Sequence, residues 1–336
     1  MDEKYIVGVD IGGTWIRVGI CTTDLKEQNI KTKVTKTIKE NEYSISKSVI
    51  LLISELLTEN NISRDQLIGI SLASAGPLDV EKGIVFNNAN LGFKTIPLKE
   101  PIGQVYSNCP IFLINDCNAS VLGIHYFEAD DDEKDNLIYI TMSTGIGGGA
   151  ICNGRLLLGK EGNAAEVGHS IVEPRSIHQC NCGAYGCWEV YSSGTGVKDR
   201  ALEALETSNL EAKILLHLVD NDKTIITAKE IFQAARGGDK FSKHIVDNCI
   251  FYTMVGTGLV NNFYDCSSIY FGGSMMKDHD LILPPIREQY KTSPIQFTIN
   301  HPPELKVTKY INEIGLRGAL AFAKYKLEGN KIIPLS

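Results

Sequence analysis

Residues 5–21 read YIVGVDIGGTWIRVGIC. β-Branched and aromatic residues crowd both sides of Gly12-Gly13, so the stretch predicts two strands, Tyr5–Val9 and Trp15–Cys21, folded into a hairpin by a glycine turn. Asp10 then stands at the end of the first strand, followed by a turn without β-carbons and by the hydroxyl of Thr14. The same scheme returns in Ser143-Thr-Gly-Ile-Gly-Gly-Gly149, again between two strand-like runs, and hints at two related halves facing one ligand. Outward from the hairpin, residues 30–38 alternate in part as a strand with one wet face, and Ile45, Val49, Leu52, Ile53 and Leu56 recur at helical spacing over 45–57. Leu67–Leu72, Ile111–Ile114 and Leu137–Thr141 predict buried strands, and Asp116–Glu128 a helix directly after one of them. Further on, Lys198–Leu218 and Ala228–Ala235 predict helices in a mostly helical stretch to Asn248, and Ala319–Leu327 a closing helix. Strands alternating with helices imply an α/β protein.

The chain has 336 residues, of which 43% are hydrophobic and 22% charged, which fits a globular protein of two domains and excludes wholesale disorder. Its net charge of −7 has the wrong sign for bulk nucleic-acid binding, where neutralised phosphates supply the affinity. The N-terminus lacks the positive and apolar regions of a signal peptide, and the most hydrophobic run, Ser48–Leu57, is far short of the ~20 residues that span a bilayer. The expectation is a soluble, cytoplasmic protein without membrane or nucleic-acid partners. The acidic run Glu128–Asp135 reads as solvated charge.

Gly12 and Gly13 allow backbone N–H groups to approach an anion, with Thr14 adding a hydroxyl; Asp10 would repel phosphate unless Mg²⁺ intervened. A plain hairpin turn reads equally well for this motif alone. A second hydroxyl-and-glycine cradle, Thr144-Gly145-Ile146-Gly147, tips the balance toward phosphate. No GxxxxGK[ST] loop and no protein-kinase signature is present, and neither glycine turn opens a helix as a dinucleotide fingerprint does. Asn115-Asp116 lies where a strand gives way to a helix; Asp116 could take a proton from an attacking hydroxyl or merely cap the helix, and the residues alone favour the cap. Of nine cysteines, Cys180, Cys182 and Cys187 fall within eight residues. With His169 they make a complete tetrahedral zinc set of structural type, and His178 is a rival fourth ligand.

Together, VGVDIGGTWIRVGI, GISLASAGPLD, NNANLGF, INDCNASVLG, STGIGGGAICNGRLLLG, GNAAEVGH, CNCGAYGCWEVYSSGTG and FGGS resemble the ROK family of sugar kinases and repressors, in the actin/hexokinase-like superfamily. The resemblance covers nearly the whole chain, and its glycine–cysteine block after EVGH is the most specific part. It implies two actin/hexokinase-like (ribonuclease H-like) α/β domains flanking a central cleft, the first spanning 1–115 with the C-terminal helix 319–336, the second 116–318. It also implies transfer of the γ-phosphoryl group of ATP, with Mg²⁺, to a hexose hydroxyl. On that resemblance Asp116 is the catalytic base, overturning the cap, and Asn115, Glu166, His169 and Glu189 are sugar ligands, with Gly76 and Asn90 as further contacts. Gly12, Gly13 and Thr14 match one phosphate loop, Thr144, Gly145 and Gly147 the other, and Gly272 and Gly273 a turn near the adenosine. His169 would also hold the structural zinc with Cys180, Cys182 and Cys187, although its separation of eleven from Cys180, where ten is common, keeps His178 in play.

The glycine–cysteine block is most similar to the glucokinase branch, so glucose leads as substrate; an N-acetylhexosamine kinase or a broad hexokinase is the alternative. Members of the family are often dimers or tetramers, and a homo-oligomer is expected. A sugar-responsive repressor would carry a helix-turn-helix domain before the first loop, whereas nine residues precede Asp10 here. A nucleotide-binding relative without sugar chemistry would not need Glu166, His169 and Glu189.

Overall fold

The structure is a computed structural model that describes residues 3–88, 91–292 and 302–330. By packing it forms two units, one of residues 1–139, 149–165 and 312–336, the other of 140–148 and 166–311.

The first part of the chain runs β1 (Tyr5–Ile11), β2 (Trp15–Thr22), β3 (Lys31–Lys36), α1 (Ser44–Glu59), β4 (Leu67–Ser74), β5 (Leu78–Asp79), β6 (Ile84–Phe86), β7 (Thr95–Pro97), α2 (Lys99–Val105), β8 (Ile111–Asn115) and α3 (Asp116–Phe127). A five-stranded sheet orders these as β3-β2-β1-β4-β8, with β5, β6 and β7 forming a small sheet of their own. β1 and β2 are the expected hairpin, in an antiparallel register that sets Asp10 opposite Arg17. β4 lies parallel to β1 on its other side, and β8 parallel to β4. The apolar stripe of α1, with Ile45, Val49 and Ile53 fully buried, closes over Val7, Val9, Val18 and Leu72 in one core.

The rest comprises β9 (Leu137–Met142), β10 (Ile146–Cys152), β11 (Arg155–Leu156), α4 (Glu189–Ser192), α5 (Gly194–Thr207), α6 (Lys213–Leu218), α7 (Ala228–Arg236), α8 (Lys240–Tyr264), β12 (Ser268–Gly272), α9 (His279–Thr292), β13 (Glu304–Val307) and α10 (Ile314–Leu327). A second sheet runs β11-β10-β9-β12-β13. Both sheets thus follow one scheme: third strand, second, first, fourth, fifth. The pair of glycine turns in the sequence is the trace of this repeat.

Helix α10 returns the chain to the first unit. Gly318 and Gly123 make this possible: a β-carbon at Gly318 would fall inside contact distance of the Ala119 carbonyl oxygen, and one at Gly123 would lie 2.9 Å from the Gly318 nitrogen. The backbones of α10 and α3 therefore meet without side chains between them. This contact also places α3 with the first unit, so the division by packing does not follow the 115/116 boundary suggested by the sequence.

Three sequence expectations need adjustment. The predicted helix Lys198–Leu218 is two helices: α5 starts at Gly194, where the Ser193 hydroxyl caps the Gly196 amide at 2.9 Å, and it stops at Thr207. There the Ser208 hydroxyl accepts from the Leu210 amide at 3.0 Å, a local bond that competes with helix continuation. The closing helix begins at Ile314, five residues early, because Gly315 and Gly318 have no apolar side chain to reveal the buried face. In the acidic run, Glu133 is buried rather than solvated, and its carboxylate accepts from the Asp130 amide at 3.1 Å.

Replacing Gly318 by valine should force α10 off α3 and cost about 3 kcal/mol or more of unfolding free energy, as overpacking against backbone does. Urea titration of the variant and the wild type would measure this; an unchanged midpoint would mean that the contact is dispensable.

Candidate functional site

In the first unit, Asp10 lies one residue before the end of β1, with its carboxylate 3.3 Å from the Arg17 guanidinium and against Gly315 in the first turn of α10. Burial pushes its carboxyl up to about 6; Arg17 pulls against the shift and the charge of Asp116 adds to it. Asp10 and Asp116 therefore share one electrostatic environment. The turn after Asp10 is closed by the Gly12 amide on the Trp15 carbonyl, 2.9 Å, while Thr37 reaches back through its hydroxyl to the Gly12 carbonyl, 2.7 Å, and through its amide to Thr14, 2.9 Å. Gly12 and Thr14 are thus held by Thr37, the residue that follows β3.

At the β8–α3 junction the cap is Asn115. Its side-chain oxygen accepts from the amides of Cys117 and Asn118 at 2.9 and 3.2 Å. Asp116 is the first residue of the helix, and one of its oxygens lies 2.9 Å from the Cys117 amide. Burial raises its carboxyl above the ordinary range, against the pull of that amide. The cap that local reading preferred for Asp116 is therefore corrected in favour of its neighbour. Gly76 precedes a cis peptide to Pro77, and the Asn88 amide holds its carbonyl at 2.9 Å. Asn90 lies outside the described residues.

The metal loop belongs to the second unit. His169 ends a short 3₁₀ turn, Val167–His169, and its Nδ1 is 3.5 Å from Cys180 Sγ; the sulfurs of Cys182 and Cys187 are 3.7 Å apart. One ligand atom from each of His169, Cys180, Cys182 and Cys187 lies within 4.8 Å of the others. Tetrahedral zinc with Zn–S bonds of ~2.3 Å needs ligand separations of ~3.8 Å, so the set fits that ion. Bridges from Ile171 to Cys187 and from Gln179 to Tyr185 frame the loop, and Gly183 and Gly186, at φ +92° and +78°, take the left-handed turns expected of them. His178 is elsewhere: its Nδ1 is 3.4 Å from Glu203, and its ring packs edge-on against Tyr191.

Two residues after Cys187, Glu189 opens α4. Its Oε2 accepts from the Ile146 amide at 2.8 Å, and its Oε1 is 3.8 Å from Cys180 Sγ. Thr144 and Gly145 form the turn before β10, and Gly147 lies within that strand. Glu166, just before the 3₁₀ turn, has an exposed side chain. Gly272 ends β12 and Gly273 follows with φ +90°. Next to the turn, a cavity of about 430 Å³ opens among Ser143, Thr144, the first turns of α5 and α7, and Ser274 and Met275, with Lys198, Lys229 and Lys277 on its walls. The sequence reading missed this cavity, because its walls come from four separated segments. Arg17 was findable: a hairpin about Gly13 that pairs residue 5 with 22 must pair 10 with 17.

The model of the family described as ROK family matches residues 6–326, from the first strand to the last helix. The chain belongs to the ROK family. It is similar to the glucokinase of Halalkalibacterium halodurans, 31% identical over 319 residues that make up 95% of this chain and 94% of that one. Among solved structures it resembles a ROK family glucokinase from Streptomyces griseus, in complex with glucose and AMPPNP, with a TM-score of 0.74 at 29% identity over 95% of this chain and 99% of the other. The ROK hexokinase from Thermus thermophilus matches with a TM-score of 0.78 at 25% identity, covering 96% and 99% of the two chains. The fold is accordingly the two-domain actin/hexokinase-like α/β fold of these ROK proteins.

Purified protein should contain about one zinc per chain by mass spectrometry. Replacing Cys187 by serine should remove most of that zinc, whereas His178→Ala should retain it. Loss of the metal on changing His178, with retention on changing His169, would reverse the ligand assignment.

Proposed function

We propose that this chain transfers the γ-phosphoryl group of ATP to a hexose, with glucose and its 6-hydroxyl as the leading acceptor. The observation that carries the reading is at the β8–α3 junction: Asn115 supplies the helix cap, and the neighbouring Asp116 carboxyl has a raised proton affinity. A carboxylate in that state is suited to accept the proton of a sugar hydroxyl as it attacks phosphorus. The ROK relatives this chain resembles, glucokinases and a hexokinase, support the same chemistry and favour glucose.

In this reading Asn115, Glu166, His169 and Glu189 hold the sugar, with Gly76 and Asn90 as further contacts. His169 presents Nδ1 to the thiols, which leaves Nε2 for a hydroxyl. Zinc keeps the loop of His169 and the three cysteines closed and takes no part in the transfer. Gly12, Gly13 and Thr14 hold donor phosphates on one side, and Thr144, Gly145 and Gly147 on the other. Gly272 and Gly273 lie near the adenosine, for which the cavity beside Ser274 has the size. Asp10, a buried carboxylate beside the first glycine turn, fits a hard divalent cation such as Mg²⁺, which would neutralise phosphate charge. Phosphoryl transfer asks little more of the protein than this positioning and charge neutralisation.

The reading extends to assembly and location. On α8, Phe251 and Phe263 are 51% and 74% exposed, and no charged residue falls between Asn248 and Tyr264, which supports self-association into dimers or tetramers. Light scattering should return a multiple of the chain mass, reduced by Phe263→Lys; a monomer at micromolar concentration would contradict it. Cytoplasmic location is consistent with free thiols, and among the described residues no helix is long and apolar enough to cross a membrane.

A coupled ADP-release assay with Mg·ATP and a panel of hexoses and N-acetylhexosamines tests the activity. Turnover should be strongest with glucose; turnover confined to an N-acetylated sugar would move the substrate and keep the chemistry, and silence across the panel would sink the kinase reading. Asp116→Asn should lower kcat by about 10²-fold or more with sugar affinity largely kept. Because the proton affinity of Asp116 is raised, its basic form is lost as pH falls. The wild-type rate should therefore drop about tenfold per unit below a midpoint above the usual carboxylate value near 4.

A further inference from the structure

We infer that Glu189 is a positioning residue for the donor side of the site, holding the turn Ser143–Ile146 in place in addition to any contact it makes with sugar. The inference rests on the kinase reading, in which that turn receives donor phosphates. The segment from Cys187 to Thr195 runs from the metal loop along the turn and bonds to it at three points. The Glu189 carboxylate accepts from the Ile146 amide at 2.8 Å; the Gly194 amide donates to the Ser143 carbonyl at 2.7 Å; the Thr195 amide donates to the Thr144 carbonyl at 3.4 Å. Within the turn, the Ser143 amide donates to the Gly145 carbonyl at 2.9 Å. Glu189 is the member of this set that acts through its side chain and carries charge.

Two further features fit the role. A β-carbon on Gly145 would collide with Glu189 Oε2, so glycine at this position is what admits the carboxylate. The root of Glu189 is also firmly seated: Trp188 is fully buried, its amide donates to the Ser170 carbonyl at 2.9 Å, and Gly256 of α8 packs face-on against its ring where no side chain would fit. A charge-assisted bond from so rigid a support commits the Ile146 N–H to the protein and fixes which way the preceding peptide faces. The phosphate-facing side of the turn is then set before nucleotide arrives, and the Glu189 carboxylate joins the two backbone bonds in carrying order from the metal loop to the turn.

The test is nucleotide affinity without sugar. Calorimetric binding of Mg·AMPPNP to zinc-loaded protein, with zinc content and circular dichroism as folding controls, is compared for wild type, Glu189→Ala, Glu189→Gln and Gly145→Ala. Glu189→Ala should weaken binding about tenfold, whereas Glu189→Gln, whose amide oxygen can still accept from Ile146, should stay within about threefold of wild type. Gly145→Ala, which displaces the carboxylate while leaving it intact, should match Glu189→Ala and carries the test if that variant does not fold. Wild-type affinity in both Glu189→Ala and Gly145→Ala would overturn the inference, leaving Glu189 a sugar contact at most. Failure of wild-type protein to bind Mg·AMPPNP would instead overturn the kinase reading and this inference with it.

Discussion

Two hydrogen bonds at the start of α3 govern what the first unit can do. Asn115 satisfies the amides of Cys117 and Asn118, which, like the first amides of every helix, have no partner within the helix. With that need met, the carboxylate of Asp116 sits at the end of a buried parallel strand in an environment that raises its proton affinity. The position of α3 is in turn held by α10, whose Gly318 lies against the backbone of Ala119, one residue beyond the second capped amide, that of Asn118. A late segment of the chain thereby steadies the helix that begins at its most reactive candidate.

The second unit solves a comparable problem differently. Its candidate groups lie on loops and short turns, which lack the rigidity of a sheet. Four side chains of metal-ligating type converge in one loop, two β-bridges frame it, and the buried Trp188 anchors the chain as it leaves. The segment that follows is bonded to the glycine turn before β10. Order generated at the cysteines can thus be conveyed over a few residues to backbone groups that have no side chains of their own to fix them.

Much of this architecture is legible in the sequence because it is local. The hairpin of β1 and β2, helix α1 with its buried Ile45, Val49 and Ile53, and the strand-to-helix step at Asn115-Asp116 each declare themselves within a dozen residues. The reading failed where neighbours distant in sequence decide. Glu133 belongs to an acidic run that looks solvated, yet tertiary packing buries it. On α10, Gly318 stands where a buried face would ordinarily be apolar, because its partner is the backbone of α3, and Gly315 makes room for the Asp10 carboxylate. Arg17 lies between the two regimes, since its pairing with Asp10 follows from hairpin register alone.

By itself the sequence determined the fold class, the repeated strand–turn–strand scheme and the identity of the three thiolates, because each depends on residue type and spacing along a short stretch. Tertiary structure alone decided that His169 rather than His178 lies beside those three cysteines, since both are close enough in sequence and the choice turns on the 3₁₀ turn and bridges that orient the loop. It alone assigned the cap to Asn115, because two adjacent residues compete for the same amides and only the direction of the strand entering the helix separates them. The cavity beside Thr144 likewise exists only when the starts of α5 and α7 and the turn after β12 converge, which spacing along the chain does not encode.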